Sequence, residues 1–508
     1  MNNQDLQSVY DVIVVGGGIA GLTSGALLAK EGKQVLVVEQ EENPGGFARE
    51  FRYGAYNINP ALHSIMGCNQ SGLLGQGVID TVLKHLGVQN LCEFISVNPF
   101  YRVQFPGFKM DVPTGREAYL EAHLNHFPDE RAGLIDLVDL CSLIFREFMQ
   151  FPSVLKVQDW LQMPFRFPLH FRFANATLSS VINRYLSDPK LKSIYAILYP
   201  YLALPPSKLS FLLWAIMMSS YIEQGAFYCR GGFQNFANAL AEGISKHGGQ
   251  LILKKRVEKI RVVDGRVKSI VLDNNEEISA NIIISTIDVR NIFQNILEAD
   301  GYPSNYLEKL KKLKTSDLVL GLYLATDLDV HTLEIPKVTL VSSWDLEDAY
   351  ANAMQGRLKS LAVHVPTVID KSLAPLGENI VVLQAFVSSE TADSVHMDSS
   401  QFAESLLDHA EMVIPDLRNH ITFVAGSSDR VQQKYPLHRL GPIYGWANLV
   451  KQAGPRRLPY KTPVSGLYLA GHWTQPASGI WTVMLSGINA ARYVLGKNMS
   501  KSMWPLDF

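Results

Sequence analysis

Asp11-Val12-Ile13-Val14-Val15-Gly16-Gly17-Gly18-Ile19-Ala20-Gly21-Leu22-Thr23-Ser24-Gly25, followed by Val35-Leu36-Val37-Val38-Glu39, is the stretch whose reading decides the fold. It reads as a strand, a tight turn, a helix and a second parallel strand ending in a carboxylate. Gly16 permits the turn, Gly18 lets the backbone approach a pyrophosphate, and Gly21 lets the helix pack close to the strand. Phosphates then sit on the unpaired amides at the positive end of the helix. Glu39 follows Gly16 by 23 residues, near the roughly 20 expected of an acid that binds a ribose hydroxyl. A glycine triplet alone is a weak signal, but here the strand, the helix and the acid accompany it. The stretch implies a dinucleotide with an unphosphorylated adenosine ribose.

The chain has 508 residues, too many for one compact core, so two or more domains are expected. It is 47% hydrophobic and 19% charged with a net charge of −2, which gives no global field to recruit nucleic acid. Cys68, Cys92, Cys141 and Cys229 are far apart and form no C-x-x-C pair, which argues against a zinc site or a disulfide framework. No metal is expected, and a reducing cytoplasmic compartment fits best. The N-terminus lacks a basic region followed by an apolar core, so it does not read as a signal peptide. The most apolar window, Leu209 to Met218, falls short of the ~20 residues that span a bilayer.

Beyond Glu39 the turn-forming run Glu41-Glu42-Asn43-Pro44-Gly45-Gly46 leads into Phe47-Ala48-Arg49. Further on come Tyr228-Cys229-Arg230-Gly231-Gly232-Phe233 and a helix-like stretch from Asn235 to His247. Gly249 to Leu272 alternates apolar and polar residues around Asp264-Gly265 and reads as a hairpin. Ala280 to Thr286 reads as a buried strand. Near the end stand Gly466-Leu467-Tyr468-Leu469-Ala470-Gly471-His472-Trp473-Thr474 and Gly479-Ile480-Trp481-Thr482, a strand, a loop and the start of a helix that contains Gly487.

On these motifs the chain resembles the phytoene desaturase and carotenoid isomerase group of FAD-dependent oxidoreductases, related to retinol saturase and the amine oxidases. The resemblance implies an α/β fold, in which a glutathione-reductase-type FAD-binding Rossmann domain is interleaved with a mixed α+β substrate domain. The FAD-binding part would comprise residues 1–80, 226–300 and 436–508, and the substrate and membrane-contact part residues 81–225 and 301–435. It implies a cofactor set of Gly16, Gly18, Ile19, Ala20, Gly21, Glu39, Gln40, Gly45, Gly46, Phe47, Arg49, Val257, Gly471, His472, Gly479, Ile480 and Trp481. Within that set Val257 meets the adenine through its backbone, and the helix from Ile480 points at the flavin pyrimidine. A positive helix end there stabilises charge that develops on the ring. Where many members carry Asp, this chain has His472, whose imidazole can make the same flavin-side bond through either ring nitrogen.

The activity implied is desaturation or cis-trans isomerisation of a long apolar isoprenoid, a carotenoid above all. Two other classes stay open: an FAD oxidase or dehydrogenase of a smaller amine or alcohol, and a flavin-binding partner protein without turnover. No side chain is obliged by the sequence to act as acid or base; His63, His472 and Tyr444 are the candidates, each with a structural reading beside the functional one. Trp446 likewise reads as channel wall or core.

Met163 to Phe173 alternates apolar, mostly aromatic residues with Arg, Pro or His and suggests an extended segment. It reads either as an edge strand carrying Pro168 or as a patch in the membrane interface. The second reading expects a peripheral membrane contact through Phe165, Phe167, Phe171 and Phe173, with Arg166 and Arg172 reaching the headgroups and Phe211, Leu212 and Trp214 adjoining. A lipophilic small-molecule substrate would enter there.

Overall fold

The computed structural model describes residues 6–68, 77–155, 157–298, 304–330, 336–397, 399–425 and 438–502. The opening stretch folds into the strand Val12–Val15, the helix Ile19–Lys30 and the strand Val35–Val38, paired in parallel with Val12 opposite Val35. Gln250–Ile252, Ile283–Ser285 and Leu467–Leu469 complete a five-stranded sheet in the order Gln250–Ile252, Val35–Val38, Val12–Val15, Ile283–Ser285, Leu467–Leu469. Every pairing in it is parallel. Such a sheet needs cover on both faces, which explains why the Val/Ile/Leu runs are unbroken.

One cover is helical: Ile19–Lys30, Phe233–Lys246 and Ile480–Val494 pack together over the face carrying Val12, Val14, Val35 and Val37. A Cβ on Gly487 would lie 2.5 Å from the Ala20 carbonyl oxygen, so glycine sets how near those two helices come. The other face, with Ile13, Val15, Leu36 and Val38, packs on a second five-stranded sheet built on Val257–Val263 and Arg266–Leu272. These two form a hairpin whose turn residues Asp264 and Gly265 both have positive φ, 52° and 70°. The result is the three-layer nucleotide-binding architecture of an α/β fold. The hairpin is shorter than the alternation from Gly249 suggests, because Gln250–Ile252 leaves it to edge the parallel sheet.

Beside two small two-stranded sheets, Phe51–Tyr53 with Tyr56–Ile58 and Phe94–Val97 with Ala226–Cys229, there is an eight-stranded mixed sheet: Ile421–Val424, Leu318–Thr326, Asn379–Val387, Ser360–His364, Lys337–Val341, Tyr101–Phe105 and Phe108–Val112 in order, with His438–Leu440 also on Leu318–Thr326. One face buries Leu322, Val363 and Leu383 under Leu406, Leu407 and Ala410 of the helix Ser399–Glu411. The other turns toward a helical layer that includes Arg131–Met149 and Phe211–Gln224. The helix Val78–Leu86 runs across the expected break after residue 80 and packs on Ile19–Lys30 and Ile480–Val494. The expected breaks at 300/301 and 435/436 lie outside the described residues.

The stretch from Met163 to Phe173 is not extended. It forms two short helices, Val157–Arg166 and Pro168–Phe173, with Pro168 in the first turn of the second, where its missing N–H costs nothing. Met163, Phe167, His170 and Phe173 turn inward at helical spacing, whereas Phe165 and Phe171 are exposed. Alternation in the sequence arises because the break at Phe167 interrupts a helical period. Phe167, Phe173, Phe211 and Trp214 are therefore core residues, and Arg166 is paired with Asp159 at 3.1 Å.

Candidate active site

The carboxyl ends of the parallel strands, where open α/β sheets bind ligands, open into a cavity of about 810 Å³ that continues to the eight-stranded sheet. Its wall carries Gly16, Gly18, Ile19, Ala20, Glu39, Gln40, Gly45, Gly46, Phe47, Arg49, Val257, Gly471, His472, Gly479, Ile480 and Trp481, and also His63 and Tyr444. Gly21 stands behind the wall: a Cβ there would lie 2.1 Å from the Gly16 carbonyl oxygen, which makes it a packing glycine.

The nucleotide end is built from backbone and a buried acid. Gly16 has φ +102°, and a side chain on it would also meet Thr286 Oγ1, which donates to the carbonyls of Val15 and Gly16. Gly18 and Gly46 approach so closely that a Cβ on Gly46 would sit 3.2 Å from Gly18 Cα. Gly18 caps the helix Ile19–Lys30 with no side-chain hydrogen bond, leaving first-turn amides for a ligand. Glu39 is buried; its Oε2 accepts from Gly17 N at 2.7 Å and its Oε1 from Glu41 N at 3.0 Å. Among the described residues no cation pairs with it, since Arg49 is engaged with Glu41 at 2.5 Å. Glu39 thus keeps free acceptor capacity toward the cavity, as ribose hydroxyls require.

At the far side of this end, Gly479 caps Ile480–Val494 without a side-chain bond, so a second positive helix end faces the cavity. The loop from Gly471 is held from behind. Gly471 N donates to Ser486 Oγ at 3.0 Å, and the buried Arg457 donates to the carbonyls of Thr474 (3.1 Å), Tyr444 (3.2 Å) and His472 and to Asn448 Oδ1. Burial lowers the Arg457 guanidinium to about 9. Burial, aided by Arg457, lowers His472 to about 4, so its imidazole is neutral at pH 7, with its ring 5.7 Å from that of Phe47. His472 is placed to hydrogen-bond, not to carry charge. Trp446 is core: its Nε1 donates to the Trp473 carbonyl at 2.9 Å and it is 1% exposed. Tyr444 lines the cavity and stacks parallel to Phe386 at 6.3 Å between centroids.

Sequence reasoning missed Arg457, which in Gly454-Pro455-Arg456-Arg457-Leu458-Pro459 looks like part of an exposed basic loop. It also missed the polar groups on the eight-stranded sheet. Lys337, Thr339, His364 and Gln384 stand on neighbouring strands, with Lys337 opposite His364 and Ala362 opposite both Thr339 and Gln384. His63 lies among them. Its ring stacks on that of His364 at 3.5 Å, and its Nε2 is 2.9 Å from Gln384 Oε1. The Gln384 amide nitrogen donates to the Pro60 carbonyl, so Oε1 accepts and His63 Nε2 carries the proton. Burial lowers His63 to about 3 and pushes His364 well down as well.

Two helix ends without capping side chains, a buried acid and glycines where side chains would collide define a dinucleotide-binding site joined to a second chamber, and its residues fit FAD. A family model for flavin-containing amine oxidoreductases matches residues 19–495, and the chain belongs to that family, with FAD as its cofactor. It is 25% identical to the chloroplastic prolycopene isomerase of Arabidopsis thaliana over 96% of this chain and 83% of that one. To the all-trans-retinol 13,14-reductase of Rattus norvegicus it is 23% identical, over 91% and 82% of the two chains. Among solved structures, an oxidoreductase from Methanosarcina mazei superposes with a TM-score of 0.65 at 17% identity, over 96% of this chain and all of that one.

Proposed function

We propose that this flavin-dependent oxidoreductase acts on the carbon-carbon double bonds of a long apolar polyene, by cis-trans isomerisation or by adding or removing a hydrogen pair. The observation that carries the reading is the distribution of lining groups. The acids that line the cavity, Glu39, Glu41 and Asp288, belong to its nucleotide side, whereas the chamber beyond is walled by Leu198, Leu202, Leu213, Ile216, Leu361 and Phe386. A wall of that kind takes up a hydrocarbon through burial of apolar surface and offers no carboxylate to an ammonium group. The two relatives, an isomerase of prolycopene and a reductase of all-trans-retinol, support the same substrate class.

When bound, FAD supplies two-electron acceptance and donation. The chain's own part is to position and to exclude water. Glu39 and the first-turn amides of Ile19–Lys30 would hold the adenosine and pyrophosphate, Arg49 and Val257 lie beside them, and the open end of Ile480–Val494 would stabilise negative charge near the flavin pyrimidine. Arg457 fixes the Gly471–Thr474 loop against that region.

A polyene dissolves in a bilayer and hardly at all in water, so access from a lipid surface belongs to the same proposal. Among the described residues no helix is long and apolar enough to cross a membrane. The helix pair at 157–173 instead presents Val157, Trp160, Leu161, Phe165 and Phe171 outward, Phe165 at 87% exposure. The first four fall on one helical face and suit insertion into the acyl boundary.

Titration of FAD-loaded protein with vesicle-borne all-trans-retinol should shift the flavin absorption band saturably, while a short diamine should leave it unchanged. Anaerobic bleaching of the flavin by the diamine or a small alcohol, with no response to the polyene, would replace this reading with that of a small-substrate oxidase.

A further inference from the structure

Lys337 is 3% exposed, and its Nζ has no hydrogen-bond partner. It lies 3.7 Å from the centroid of the Tyr201 ring, 4.9 Å from that of Phe100 and 5.2 Å from that of Tyr101. With His63, Ser64 and His364 it lines a recess of about 10 Å³, room for one oxygen-sized group. His63, Ser64 and His364 also line the main cavity, as do Thr339 and Tyr201. The recess, an alcove, therefore adjoins the substrate chamber, with His63, Ser64 and His364 common to both.

The polar atoms here are in deficit. Ser64 Oγ, Tyr201 OH, Thr339 Oγ1, His364 Nδ1 and Lys337 Nζ are all buried and all unpartnered among the described residues. Buried polar groups in folded proteins are almost always satisfied, and each exception needs an explanation. The composition of this group supplies one. It holds an amine, three hydroxyls and the imidazole of His364, while His63 already gives its Nε2 proton to Gln384, and no carboxylate perturbs Lys337. The acceptors within the set are uncharged hydroxyl oxygens and imidazole nitrogens, and a carboxylate would bring the charged acceptor that its unpartnered donors lack.

We infer that this alcove is a carboxylate site, in which Lys337 and His364, backed by the stacked ring of His63, hold one oxygen of the acidic end of a long-chain ligand whose apolar body fills the chamber. The inference rests on the polyene reading of the same cavity and narrows it to chains that end in an acid. Around Lys337 the groups that can titrate or carry charge are His364 on the adjoining strand, His63 stacked on it, Tyr101, Tyr201, and Tyr221 stacked on Phe100. Desolvation holds Lys337 well below the ordinary lysine range, and the two histidines are lowered likewise. Burial therefore disfavours charge in the empty alcove. An anion favours the charged amine, so its binding draws protons into the alcove and affinity rises as the pH falls, by up to tenfold per unit.

The test uses FAD-loaded protein and two probes, all-trans-retinoic acid and its methyl ester, with binding read from tryptophan quenching. At pH 7 the acid should bind at least tenfold more tightly than the ester. That preference should disappear in Lys337→Met and in Lys337→Gln, and the acid's gain in affinity from pH 8 to pH 6 should shrink in both. The wild-type ratio decides the matter even if a variant fails to fold. Equal binding of acid and ester would overturn the carboxylate site and leave the polyene reading standing, the alcove then holding water alone. A preference that survives both substitutions would remove Lys337 from it. Failure of both probes to bind would overturn the inference together with the polyene reading.

Discussion

Two buried cations stand on opposite sides of the same cavity and are treated in opposite ways. Arg457, behind the loop on the nucleotide side, has three carbonyls and a side-chain amide oxygen for its guanidinium. Lys337, on the eight-stranded sheet, has three aromatic faces and no hydrogen bond. The same contrast runs through the two halves. On the nucleotide side, Glu39, Thr286 and Ser486 are each held by hydrogen bonds within the chain, so these side chains are positioned before any ligand arrives. Across the substrate chamber, donors are left in reserve. The nucleotide half is thus built for a fixed occupant, and the substrate half leaves its polar capacity to be completed by what it binds.

Replacing each cation with Met breaks the comparison most sharply, because the signs should differ. Arg457→Met strands several buried carbonyls and should lower the unfolding free energy by about 3 kcal/mol, with loss of flavin as the loop from Gly471 loosens. Lys337→Met removes an unpaired buried amine at similar volume and should raise the stability of the ligand-free protein by about 1–2 kcal/mol. Denaturant melts of the two variants measure both. Destabilisation by Lys337→Met would mean that its contact with the Tyr201 ring outweighs its desolvation.

A smaller effect sharpens the nucleotide side. Glu39→Ala should weaken FAD binding by about 1–3 kcal/mol, and Glu39→Gln by less, because the amide oxygen still accepts from a backbone N–H. Flavin content at limiting FAD reports the difference, and equal occupancy in wild type and Glu39→Ala would place the ribose contact elsewhere.

How much of this could be read in the sequence follows the same division. The strand–turn–helix and Glu39 are local signals: glycine positions and a spacing fix the chemistry whatever the rest of the chain does. All the residues named from them except the packing glycine Gly21 reach one cavity wall. Lys337-Val338-Thr339-Leu340-Val341 alternates polar and apolar residues, which ordinarily marks one wet face. Here all five are buried, and of the polar pair Thr339 lines a chamber created by distant segments while Lys337 lines the recess beside it. Arg457 is invisible for a related reason, since its acceptors are backbone carbonyls, which carry no sequence signal. Met163 to Phe173 misled because a proline-started helix following another helix imitates a period of two.

The smallest expected effect on stability concerns the outer ridge. Phe165→Ser, at an exposed position, should change stability by no more than about 0.5 kcal/mol, yet it should reduce co-sedimentation with phosphatidylcholine vesicles while leaving flavin content unchanged. If vesicle binding is unaltered in Phe165→Ser and in Leu161→Ser, the helix pair is not the lipid contact.

The central claim is that the chamber presents a polyene double bond to the flavin, and chromatography of the products tests it most directly. FAD-loaded protein, reduced under anaerobic conditions and supplied with a vesicle-borne poly-cis carotene, should yield a geometric isomer or a product changed by one hydrogen pair, and protein without FAD should yield neither. Recovery of the carotene unchanged, together with oxidation of a short amine or alcohol by the same preparation, would contradict the account.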